Sequence, residues 1–196
     1  GVTMDDALAA IKTGEEFESK VAEAGKLEGV ELDNAVKLLT VEVNSLAISA
    51  ILKVNIRETL SGFVKRVVAW KKEEAAAKTA GVTAEVIAAA EATEGEKVIC
   101  RVGIGTDTKA AKAIQQAVGK KIKDKAFFLV SADESEDKFI VLAFCHKSMK
   151  SVNCNDWASV AIEGTGGKGG GKMDSAQYTI SGISSIDSVL EKAKSA

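Results

Sequence analysis

Proline is absent from the 196 residues, and histidine and tyrosine occur once each. Without proline no ring interrupts a helix or fixes a turn, so long unbroken helices are favoured and boundaries must come from glycine and capping side chains. His146 stands alone, with no nucleophile-elbow pattern near it, so a Ser-His-Asp site is not expected. The cysteines are three and widely spaced (Cys100, Cys145 and Cys154), with no C-x-x-C pair. Cys145 and His146 are neighbours in strand-like sequence and point to opposite faces, so shared metal ligation is not expected either. The cysteines read as buried thiols of a reducing compartment, the cytoplasm, rather than a disulfide framework. No run of 18 or more residues is apolar enough for a membrane span. The opening GVTMDDALAAIKTGEE lacks the basic-then-apolar order of a secretion signal. It starts on Gly1 and runs directly into helix-like sequence, which reads as a piece of a longer protein.

What remains is an ordinary globular composition, 46% hydrophobic and 28% charged, with a net charge of −2. The small net charge conceals a gradient. Residues 1–96 carry 11 Lys/Arg against 17 Asp/Glu; residues 97–172 carry 13 against 8. The cationic interval points to an anionic partner.

The hydrophobic pattern changes near Gly95. Before it, apolar residues recur at helical spacing: Leu8, Ile11 and Val21; then Val36, Leu39, Val43, Leu46 and Ala50; then Ile56, Leu60, Phe63, Val67 and Trp70. GKLEG separates the first two helices, Asn55 is expected to separate the next pair, and Gly81 is expected to close the last, with Thr83 capping a further helix over 84–94. These stripes read as core and as helix–helix contact, including contact with a second copy. After Gly95 the order is strand (KVICRVGIG), helix capped at Asp107 or Thr108, strands 126–132 and 138–146, a helix opening at Asn153 or Asn155, a glycine run, strand 175–182 and a C-terminal helix. The expected fold is α+β in two parts: a helical hairpin or bundle over 1–95, and a mixed α/β globular domain over 96–196.

The glycine run GTGGKGGGK, Gly164 to Lys172, has folded sequence on both sides, and the 24 residues after it are too few for a domain of their own. It therefore reads as a binding loop inside the fold rather than a linker. Peptide N–H groups without Cβ atoms approach a phosphate closely, and Lys168 and Lys172 add charge. The G-x-x-x-x-G-K-[ST] frame is not there, since Met173 follows Lys172, and a strand rather than a helix comes next; nucleotide hydrolysis and dinucleotide binding are not expected. The candidate nucleic-acid-binding residues are Gly166, Gly167, Lys168, Gly169, Gly170, Gly171 and Lys172, with Tyr178 as a candidate for base stacking.

GGKGGGK followed by SAQ, preceded by a short helix with Trp157, resembles the C-terminal domain of alanyl-tRNA synthetases, most nearly the eukaryotic cytosolic form. That domain is of the DHHA1 type, shared with phosphoesterases acting on nucleic acids. Many bacterial relatives have Arg-Pro after the glycines; here Lys172-Met173 stands there. The resemblance covers residues 95–196. It implies an appended tail that binds the outer corner of tRNA(Ala), or another nucleic acid, through the glycine–lysine loop, with a helical part able to support a homodimer. It also implies that ATP and zinc belong to other parts of such a ligase, so these residues hold no cofactor and do not aminoacylate alone. The alternatives are a protein-docking or dimerisation module, and the substrate-binding part of a phosphoesterase, whose Asp-His-His metal centre one histidine cannot supply.

Overall fold

The structure, a computed structural model, describes residues 3–196; Gly1 and Val2, where the sequence-based helical part begins, lie outside them. The chain divides into two compact units, Gly1–Glu74 and Ala75–Ala196. The compositional change at Gly95 marks the first strand; the packing division falls earlier, inside a helix.

Three helices build the first unit: α1 (Met4–Gly25), α2 (Gly29–Ser45) and the first part of α3 (Ala50–Ala92). Thr3 and Asp6 form a reciprocal capping box at the start of α1: the Thr3 hydroxyl accepts from the Asp6 N–H at 3.2 Å, and the Asp6 carboxylate accepts from the Thr3 N–H at 2.9 Å. At its other end the Arg66 guanidinium donates to the carbonyl of Gly25 (2.8 Å), which the helix leaves without a partner, and to that of Leu27 (3.1 Å) in the connection to α2. The core is Phe17, Val21, Leu39, Val43, Ile56 and Leu60, with Leu32, Val36 and Val67 beside it. Leu8 and Ile11, expected on the buried stripe, are exposed.

Two expected helix boundaries are displaced. The break after α2 lies at Leu46–Ser49, not at Asn55, because Leu46 is extended and the Ser49 hydroxyl accepts from the Leu52 N–H (3.2 Å). Asn55 is inside α3. Gly81 does not end that helix, and Thr83 does not cap a new one; its hydroxyl donates back to the Thr79 carbonyl at 2.8 Å. Val82, Val86 and Ala90, buried in the second unit's core, favour the helical path across Gly81 more strongly than one glycine opposes it.

The second unit is a five-stranded sheet in the order β1-β2-β3-β5-β4, built from β1 (Lys97–Arg101), β2 (Ala126–Asp133), β3 (Lys138–Cys145), β4 (Lys168–Lys172) and β5 (Ser175–Ser181). Only the β1–β2 pair is parallel, joined by α4 (Thr108–Lys121), so the sheet is mixed, as the sequence suggests. Asp107 caps α4, its carboxylate accepting from the N–H groups of Lys109 and Ala110. Asn153 does the same for α5 (Cys154–Ala161). The chain closes with a 3-10 turn at Ile183–Ser185 and α6 (Ile186–Ser195).

Strands β2 and β3 are buried on both faces, which explains their unbroken apolar sequence. One face, Phe128, Val130, Val141 and Ile180 among others, packs on α5 and α6 around Trp157. The Trp157 indole N–H donates to the Ala193 carbonyl at 2.8 Å. The opposite face packs Phe127, Leu129, Leu142 and Phe144 on α4 and the end of α3, with the Phe127 and Phe144 rings stacked at 4.9 Å.

Candidate nucleic-acid interface

The second part of the glycine run, Lys168–Lys172, is a strand; the first part, Gly164–Gly167, is a turn. After α5 the chain turns through Ile162–Gly167, with Gly164 (φ +84°) and Gly166 (φ +68°) in the left-handed region, and enters β4 as Lys-Gly-Gly-Gly-Lys. Glycine disfavours strands by intrinsic preference. Here pairing with β5 decides the outcome: Lys168 faces Thr179, Gly170 faces Gln177 and Lys172 faces Ser175, closed by a two-residue turn at Met173–Asp174.

The glycines do different things. An added Cβ at Gly169 would stand 2.1 Å from the Gln177 carbonyl oxygen, and one at Gly171 would stand 2.3 Å from Ala176 Cα. These two are bare because the β5 backbone lies against them. At Gly167 the neighbours are Ile180 and Ile162 side chains, while Gly170 faces open space. Three of the run's six glycines, Gly167, Gly169 and Gly171, are therefore bare for contact within the protein, and Gly170 is the position in β4 whose bare face is open.

Strand alternation sorts the rest. Gly169 and Gly171 share a face with Ala176 and Tyr178, which are buried; Lys168, Gly170 and Lys172 share the other face with Ser175, Gln177 and Thr179. Lys168 and Lys172 stand four residues apart, about 13 Å along the strand. Both are exposed, and among the described residues neither makes an ion pair. Strand β4 ends the sheet order, so every second residue leaves its N–H and C=O without a partner strand.

The structure withdraws Tyr178 as a stacking platform. Its ring is in the α5-side core, and its hydroxyl is bonded to Asn155 Oδ1 (3.0 Å) and Ser159 Oγ (2.8 Å). His146 follows β3, with Nδ1 2.7 Å from the Ser148 hydroxyl. Cys145 and Cys154 are buried together, and burial, then the Cys145 thiol beside it, pushes the Cys154 thiol well above its ordinary range. Burial also raises Cys100. Among the described residues no cluster of three or more His, Cys, Asp or Glu side chains is arranged to hold a metal ion. Among the described residues no helix is long and apolar enough to cross a membrane.

Comparison with known proteins follows the same division. The alanine–tRNA ligase domain model matches residues 7–70, and the DHHA1 domain model matches residues 94–196. The cytoplasmic alanine–tRNA ligase of Dictyostelium discoideum is 29% identical over 96% of this chain and 21% of its own length. The alanine–tRNA ligase of Schizosaccharomyces pombe is 25% identical over 98% of this chain and 20% of its own. The chain thus spans about a fifth of the length of these relatives. Among solved structures, the C-Ala domain from Aquifex aeolicus alanyl-tRNA synthetase aligns with 51% of this chain and 86% of its own at 16% identity and a TM-score of 0.42.

Proposed function

This chain belongs to the DHHA1 domain family, and from that premise we propose that it is the appended C-terminal part of a cytoplasmic alanine–tRNA ligase, holding tRNA or another nucleic acid against β4. The observation that carries the reading is the exposed Lys-Gly-Gly-Gly-Lys edge strand, with both ammonium groups free of ion pairs among the described residues. Sugar–phosphate backbone is recognised by lysine charge and by backbone N–H groups, and such contacts position a nucleic acid without reading its sequence. The strand offers both. On this reading the family's outer-corner contact with tRNA(Ala) falls on Gly166–Lys172, with Lys168 and Lys172 as the charged anchors. ATP and zinc belong to other parts of the ligase, and these 196 residues alone do not aminoacylate.

A titration of labelled tRNA tests the reading. Replacing both lysines, Lys168→Ala with Lys172→Ala, is expected to weaken binding about tenfold or more, while the thermal midpoint stays at the wild-type value. Unchanged affinity in the double variant contradicts the assignment of β4.

A second reading concerns the helical unit. Leu38, Val41, Val64 and Val68 are exposed, and Val41, Val64 and Val68 line a groove of about 500 Å³ between α2 and α3. That apolar surface supports a role in homodimer formation, which is compatible with nucleic-acid binding by the other unit.

A further inference from the structure

Six lysines of the cationic interval 97–172, none of them in an ion pair among the described residues, gather at one end of the sheet. The strand register sets Lys97, Ala126 and Cys145 in one row across the sheet, and Phe144, Ser175 and Lys172 in the next. Lys123 and Lys125 lie in the segment that leads into Ala126, and Lys147 and Lys150 in the loop that leaves Cys145. All of these therefore emerge at one end of the sheet. Carboxylates at this end are Glu94, Glu96, Asp124, Asp156 and Asp174; Glu96 already accepts a hydrogen bond from the Ser151 hydroxyl at 3.1 Å and Asp156 from the Asn153 amide at 2.6 Å. The far end has the opposite character: Asp133, Glu134, Glu136 and Asp137 stand at the β2–β3 turn, where Lys138 pairs with Glu136.

The basic end is also held in shape. Two backbone bonds pin the tip of the β4–β5 hairpin to it: the Cys145 N–H donates to the Asp174 carbonyl (3.0 Å) and the Cys154 N–H to the Met173 carbonyl (2.9 Å). The loop bearing Lys147 and Lys150 closes on itself, with the Met149 N–H donating to the His146 carbonyl (2.9 Å) and the Ser148 N–H to His146 Nδ1 (3.2 Å). Lys125 donates to the Thr93 carbonyl, and the Lys97 ammonium stands 5.3 Å from the centre of the Trp157 ring. Lys97, Lys123, Lys147, Lys150 and Lys172 are exposed, and among the described residues they form no ion pair.

We propose that this lysine rim, formed by Lys97, Lys123, Lys147 and Lys150 and joined to β4 at Lys172, is the main phosphate-contacting surface of the second unit. The proposal rests on the nucleic-acid reading above and changes its emphasis. Strand β4 becomes one border of a larger cationic surface, with Lys172 inside it and Lys168 toward the acidic end. A surface of one sign on a fixed frame attracts a polyanion before contact and releases counterions on contact. The partner it fits is a nucleic-acid backbone with several phosphates in reach.

The test uses the full 196-residue chain with unfractionated tRNA and a duplex DNA as probes, at several salt concentrations. One variant carries Lys123→Gln, Lys147→Gln and Lys150→Gln. A control with the same charge change carries Lys109→Gln, Lys112→Gln and Lys138→Gln. The rim variant is expected to bind about tenfold or more weakly and to lower the slope of log affinity against log salt by roughly 2, at about 0.7–0.9 per phosphate contact. The control is expected to stay within about twofold of wild type. Equal loss in both variants, or no loss in the rim variant, overturns the rim. Failure of the wild-type chain to bind either probe overturns the nucleic-acid reading itself, so the two failures are distinguishable. Matched thermal midpoints confirm that each variant is folded.

Discussion

At Gly171 a methyl group has no room: the atoms around it are the β5 main chain, and main chain does not yield as the end of a flexible side chain does. Gly171→Ala is therefore expected to destabilise the second unit by about 1–3 kcal/mol, the usual cost of forcing atoms into a packed site, seen as a lowered midpoint in urea unfolding. A midpoint at or above wild type contradicts the close approach of β4 and β5. This residue also marks the limit of what the sequence discloses. Six glycines within eight positions announce a special backbone, and Lys168 and Lys172 stand out within it. That two of those glycines are bare on account of their own neighbouring strand depends on the pairing of Gly169 with Tyr178 and Gly171 with Ala176, which are tertiary facts. Tyr178 misleads for the same reason: it is close to the lysines in sequence, but strand alternation turns it into the core.

Among the elements, those with strong local signals were legible and those decided by distant packing were not. Asp107 and Asn153 are good capping residues, and each caps a helix. The AFFLV and FIVLAFC runs are read as strands because β-branched and aromatic residues fill them, and both are strands. Helix α3 is the counterexample. Asn55 and Gly81 look like breaks in isolation, yet the helix runs through both, because Ile56, Leu60 and Val67 are buried in one unit and Val82, Val86 and Ala90 in the other. Gly81 is exposed, with nothing within 4 Å of an added Cβ. Gly81→Ala is thus expected to stabilise the helix by about 1 kcal/mol, the difference in helix propensity between the two residues. Thermal unfolding checks it, and a loss of stability contradicts an unbroken helix at this position. Strand β4 is the reverse case, where poor propensity is overruled by a paired neighbour.

For the whole molecule, the charge is uneven at two levels: residues 1–96 are acidic and 97–172 basic, and within the second unit lysines gather at one end of the sheet and carboxylates at the other. The helical unit buries most of its expected stripe internally, but Leu38, Val41, Val64 and Val68 remain exposed. Sedimentation at several concentrations is expected to detect a monomer–dimer equilibrium that Val41→Ser with Val68→Ser shifts toward monomer. A wild-type chain that stays monomeric throughout contradicts dimerisation through this face. The central claim is that the second unit holds a sugar–phosphate chain by lysine charge. The salt dependence of wild-type tRNA binding tests it most directly: several phosphate contacts predict affinity falling linearly on a log–log plot, with a slope magnitude of roughly 3 or more. A salt-independent affinity, or no binding at low salt, contradicts it.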